Sequence, residues 1–130
     1  MKEPVWIRED VVLAIHKRQL AEYGGGEGVR NEGLLASALA QPKNFLAYAG
    51  GEPDLPRVAA SYAWGLIRNR PFVAGNNRMA YLLCRTFLKL NGLDFAANSE
   101  AKCLAFLQFA ERLLSEDELA AWIKKRLTRD

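Results

Sequence analysis

The chain has 130 residues, half of them apolar and a quarter charged, with a formal net charge of +3. That length predicts one domain spanning residues 1–130, able to bury about two-thirds of its unfolded surface, and the composition excludes a disordered tail. No apolar run approaches the roughly 20 residues of a membrane-spanning helix, and the opening MKEPVWIRED lacks a signal-peptide core, which predicts no membrane partner and a cytoplasmic location.

The pattern predicts a first helix over residues 8–23, with Asp10 near its start, a triple glycine (Gly24, Gly25, Gly26) after its end, and Leu13, His16, Leu20 and Tyr23 on one face. Asn31 is expected to cap a second helix with Leu34, Leu35, Ala38 and Leu39 as its apolar stripe. Gln41-Pro42 is expected to stop it, because the residue before a proline avoids helical angles. Residues 43–56, with two glycines and the aromatics Phe45 and Tyr48, read as a loop or flap long enough to carry function.

A third helix is expected over residues 57–68, with Ala59, Tyr62, Ala63 and Leu66 inward, and a fourth over 77–90, ended by a left-handed cap at Asn91-Gly92. The fourth is apolar nearly all round: Met79, Leu82, Leu83, Thr86, Phe87 and Leu90 on one face, Tyr81, Cys84 and Leu88 on another. Such a helix belongs at the centre of a bundle. Residues 93–96 read as a short extended piece. Asn98 or Ser99 is expected to cap helix five, with Cys103, Phe106, Leu107, Ala110 and Leu114 inward. A capping box from Ser115 to Glu118 opens helix six, which buries Leu119, Trp122, Ile123 and Leu127.

Six helices with almost no strand alternation predict an all-α bundle around a central apolar helix. Cys84 and Cys103 are too few for a disulfide scaffold or a zinc site and read as core thiols. Trp6, Trp64 and Trp122 read as packing residues. The basic run Lys124-Lys125-Arg126 reads as a solvated helix end that complements the dipole; no recognition motif accompanies it, so nucleic acid is not an expected partner.

Residues 69–78, NRPFVAGNNR, form a stiff turn that runs into a helix start. Gly75 allows close backbone approach, and free N–H groups at a helix N-terminus hold phosphate well. Arg78 lies in the first turn, Arg70 at the loop entrance, and Arg85 two turns further along the same stripe. On spacing alone, an anion nest and an ordinary helix cap by Asn76 or Asn77, with the arginines facing water, both remain open.

The stretch R-P-F-V-A-G-N-N-R resembles the signature of the Fic/Doc superfamily, H-x-F-x-[DNE]-[AG]-N-[GK]-R. The flanks agree. EYGGGEGVRNEGLLASALAQP is similar to the opening segment of Doc-type (death-on-curing) proteins, AASYAWGLIRN leads into the motif, and LKLNG and SEDELAAWI follow in order. The resemblance implies a helical bundle whose motif loop binds ATP at the start of the central helix. Most members transfer AMP to a protein hydroxyl. Doc-type toxins instead transfer the γ-phosphate, with elongation factor Tu as the type of target, and are blocked by an antitoxin segment. That segment is expected near residues 43–56, with Phe45 and Tyr48 either anchoring it or folding back onto the domain.

Carried over by position, the family's catalytic histidine corresponds to Arg70, which stays protonated and has no acceptor nitrogen. The acid that holds Mg²⁺ corresponds to Ala74, which offers a hard cation no side-chain oxygen. Asn77 stands where a lysine or glycine is usual. Phe72 (loop anchor), Gly75 and Asn76 (nest) and Arg78 (phosphate grip) remain, so the phosphate-binding set is Gly75, Asn76, Asn77 and Arg78. His16, the lone histidine, is expected to be a hydrogen-bonded core residue rather than a replacement base. The expectation is a toxin impaired in transfer. The alternatives are a pseudoenzyme that binds an antitoxin or nucleotide, an AMP transferase, and a toxin sequence altered at Arg70, Ala74 or Asn77.

Overall fold

The computed structural model describes residues 3–130. The elements are α1 (Glu9–Tyr23), α2 (Glu32–Ala49), α3 (Leu55–Asn69), α4 (Asn76–Leu90), β1 (Leu93–Phe95), α5 (Ser99–Ala110), α6 (Glu116–Lys125) and β2 (Leu127–Arg129). The all-α architecture matches the sequence reading. Asn31, Asn98 and Ser115 cap their helices as expected, each accepting from the backbone N–H three residues on. The Ser115–Glu118 capping box is complete.

Helix α4 shares the centre of the bundle with α3. Helix α3 packs on α2, α4 and α6, with residues 58 to 63 buried without interruption, and α4 packs on α1, α3 and α5. The alanines and Gly65 of α3 admit neighbours closely, whereas α4 keeps an outer face on which Leu90 is exposed.

Helix α2 does not stop at Pro42. It runs through the proline to Ala49, so residues 43–49 are helical and the expected flap shrinks to the turn before Asp54. Proline has no N–H to give the Ala38 carbonyl, and α3 fits that spot. A Cβ on Gly65 would lie 2.9 Å from Ala38 O, so only glycine lets the two helices approach there. Phe45 folds back under the Arg57 guanidinium, 4.1 Å from the ring centroid, while Tyr48 is exposed. Arg57 also binds Glu116 and Asp117 in the first turn of α6, both at 2.8 Å.

Two other expected faces are revised. On α1 the buried residues are Val12 and His16, whereas Leu13 and Tyr23 are exposed. On α5 they are Ala105, Phe106 and Phe109; Leu107 and Cys103 face outward, so Cys103 is not a core thiol. Cys84 is one, and burial pushes its thiol far above the usual range. Leu127 lies in β2, paired with Phe95 across an antiparallel ribbon, and not in helix six. Among the described residues no helix is long and apolar enough to cross a membrane.

Candidate functional site

Between α3 and α4 the backbone turns sharply. Arg70 adopts left-handed angles (φ 45°) and so does Gly75 (φ 82°). The first half of the loop is strapped to residues 28–31. Pro71 O accepts from Arg30 N at 2.7 Å and Asn31 N at 3.2 Å, and Val73 N donates to Gly28 O at 3.1 Å. The Arg30 side chain adds bonds to Arg70 O and Asn69 O, both 3.0 Å.

The second half is closed by Asn76. Its Oδ1 accepts from Phe72 N at 3.0 Å and its Nδ2 donates to Phe72 O at 2.9 Å, while the residue is 3 % exposed. The Asn76 side chain therefore latches the loop, the shaping role expected of it, and leaves only its N–H for a phosphate. Phe72 is buried, as an anchor should be, with its ring stacked on His16 at 3.9 Å. His16 Nε2 donates to Ala74 O at 2.9 Å. Gly25 packs tightly here, since a Cβ on it would meet the Ala74 Cβ at 3.1 Å.

Helix α4 starts without a side-chain cap, so neither Asn76 nor Asn77 caps it. Met79 N donates to Gly75 O, while the N–H groups of Asn76, Asn77 and Arg78 find no acceptor among the described residues. These groups carry the positive end of the helix. Arg70 Nη1 donates to Asn77 Oδ1 at 3.1 Å, which holds a guanidinium beside them. The Arg78 guanidinium lies over the Tyr23 ring at 3.8 Å. Among the described residues neither arginine pairs with a carboxylate.

Arg85 does not join this group. It forks onto Asp94 with both bonds at 3.2 Å, which raises the arginine. For Asp94, burial acts upward, but the hydrogen bonds from Arg85 and Phe95 N and the charges of Arg85 and Lys89 outweigh it, so the carboxyl sits below its usual range.

Sequence reasoning missed a cavity of about 410 Å³ that opens from the nest. Asn77, Arg78 and Tyr81 of α4 form one wall and Lys102, Cys103 and Phe106 of α5 the other. No local signal marked the α5 wall, because that helix is apolar on both faces.

The site suits a phosphate-bearing ligand but not a protein-held Mg²⁺. Ala74 contributes a methyl group, its carbonyl is engaged by His16, and no cluster of three potential metal-binding side chains exists among the described residues. Nor does the loop offer a proton acceptor, since Arg70 has none and His16 is buried and engaged.

The match to known proteins follows this geometry. The Fic/DOC family model covers residues 6–88, from the segment before α1 to the last turns of α4. The chain is 37 % identical over 91 residues to Toxin Doc of Mycolicibacterium smegmatis, a stretch that makes up 70 % of this chain and 67 % of that protein. The matched span takes in α1, the strap at residues 28–31, α3 and the whole uncapped loop, and the chain therefore belongs to the Fic/DOC family.

Proposed function

We propose that the chain is the toxin of a toxin–antitoxin pair, that its loop takes the phosphates of ATP, and that phosphoryl transfer to a protein hydroxyl is impaired. Elongation factor Tu is the type of target the family implies. The observation that carries the reading is the set of N–H groups at Asn76, Asn77 and Arg78 that are free among the described residues, framed by two guanidinium groups that pair with no carboxylate there. Arg78 forks onto phosphate oxygens, and Arg70, steered by Asn77, acts as a second clamp. Tyr81 and Phe106 supply apolar walls for the nucleoside, and Lys102 a cation at the rim.

Bound ATP supplies the phosphoryl group; the chain supplies position and charge. Nothing at position 70 takes the proton of the attacking hydroxyl, and loss of a general base typically removes about 10²–10⁴ in rate. No step is assigned to Mg²⁺, because the residues present do not hold it. Leu104 and Leu107 are exposed on α5, with Leu107 lining the cavity, which makes this face a second candidate seat for the antitoxin besides residues 43–56. A segment laid across Leu104 and Leu107 would close the nucleotide's way in.

Calorimetry with ATP, followed by incubation with α- or γ-labelled ATP and a cell lysate, tests the reading. ATP is expected to bind with little label transferred, and γ-label should reach a protein once Arg70→His, Ala74→Asp and Asn77→Lys are combined. Failure of the native chain to bind ATP overturns the nucleotide site. Robust transfer by the native chain overturns the impairment, and α-label on a protein identifies AMP transfer instead.

A further inference from the structure

We propose that His16 is a positioning residue of the phosphate loop, holding the peptide between Ala74 and Gly75 so that its carbonyl points away from the nest. This rests on the phosphate-binding reading above.

The strap at residues 28–31 grips the loop only as far as Val73. Asn76 bonds back to Phe72, bypassing the two residues between Val73 and itself. Among the described residues, His16 is the one side chain that hydrogen-bonds to Ala74 or Gly75. The same ring stacks on Phe72 with an interplanar angle of 13°, and its Nε2 would lie 3.9 Å from a Cβ on Gly75.

That peptide is the weak point of an anion site. Gly75 tolerates many backbone angles, so rotation of the 74–75 peptide meets little steric resistance on its side. A flipped peptide would turn a carbonyl oxygen, with its partial negative charge, toward the phosphate. The Nε2–H bond to Ala74 O opposes the flip, and the stack on the buried Phe72 fixes the ring that makes it. A histidine that merely filled the core would need no partner at the loop. The residue is 3 % exposed, and among the described residues its one side-chain hydrogen bond goes to the residue that precedes Gly75.

The test compares full-length His16→Leu, which removes the donor, and His16→Gln, whose amide retains one. Val12→Ala, fully buried one turn before His16 on the same helix, serves as a destabilised control that retains the His16 donor. Calorimetry with Mg²⁺-free ATP reads affinity, thermal melting reads stability, and amide resonances of residues 75–78 read the loop. If the binding-competent peptide falls to about a tenth of molecules, apparent affinity falls about tenfold. His16→Leu is therefore expected to bind ATP about tenfold more weakly and to show broadened or doubled resonances at Gly75 and Asn76. His16→Gln should recover most of the affinity, and Val12→Ala should keep it despite a lower melting temperature.

Native affinity and a single set of resonances in His16→Leu overturn the proposal, as does a loss in Val12→Ala that matches its loss in stability. If the leucine variant does not fold, His16→Asn, whose amide is one bond shorter, takes its place. If the native chain itself binds no ATP, the phosphate reading fails, and the resonances alone decide whether His16 holds the peptide.

Discussion

Asn76 gives the sharpest test of how the loop is built. Its amide makes two hydrogen bonds to one residue, accepting from Phe72 N and donating to Phe72 O, in a pocket closed to water. Asn76→Ala removes both bonds and leaves a buried N–H and C=O without partners. With a net value of about 1 kcal/mol per bond and a further penalty for the stranded groups, the loss is about 3 kcal/mol. For a domain of this size that lowers the melting temperature by roughly 10 °C. Asn76→Asp separates the hydrogen-bond argument from simple packing. A protonated carboxyl can accept from Phe72 N and donate to Phe72 O, reproducing the amide, whereas the carboxylate would face the Phe72 carbonyl. Burial and that carbonyl raise the carboxyl in the folded state above its unfolded value. Its contribution is then fully present below the ordinary aspartate range and is lost as pH rises through the folded value. Urea unfolding at pH 4 to 7 should show Asn76→Asp close to the native protein at the acid end and close to Asn76→Ala at neutrality. A difference from native that stays flat across this range, or shrinks toward pH 7, would refute the latch.

Other outcomes follow from features away from the latch. Iodoacetamide should label exposed Cys103 in the folded protein and reach buried Cys84 only on unfolding, and saturating ATP should slow Cys103 labelling, because that residue lines the cavity. Gly65→Ala should destabilise despite a helix-propensity gain of about 1 kcal/mol. The new Cβ meets backbone atoms of Ala38 that cannot turn aside, and overpacking costs about 1–3 kcal/mol, which chemical denaturation will measure. The depressed Asp94 carboxyl contributes stability above the ordinary aspartate range, and this is lost as pH falls through its lower folded value. Asp94→Asn should therefore be less stable at pH 7, by no more than about 1 kcal/mol given the partial exposure of Arg85, and should converge with the native protein in acid unfolding.

The sequence was most legible where the signal was local. The caps at Asn31, Asn98 and Ser115, and the glycine after Tyr23, place helix ends because each acts within one turn of itself. Pro42 misled because its local penalty is offset by burial against α3, which no window around residue 42 contains. Helix α5 misled because apolar side chains on both faces leave periodicity nothing to select. In the loop, the motif marked the positions but not what their side chains do. Spacing cannot distinguish an asparagine that faces a ligand from one that turns back on Phe72. The grip of His16 and residues 28–31 spans dozens of residues and becomes visible only after folding.

The strap at residues 28–31 follows directly on the glycine-rich turn that leaves α1, and the same turn packs on Val73 and Ala74. A guest that stiffens the loop must also quieten this turn. Because such coupling runs equally in both directions, a protein that grasped the turn from outside would alter affinity at the nest without touching a phosphate. On the proposed phosphate reading, the glycine-rich turn would then set how firmly a guest is held while the binding groups stay in place.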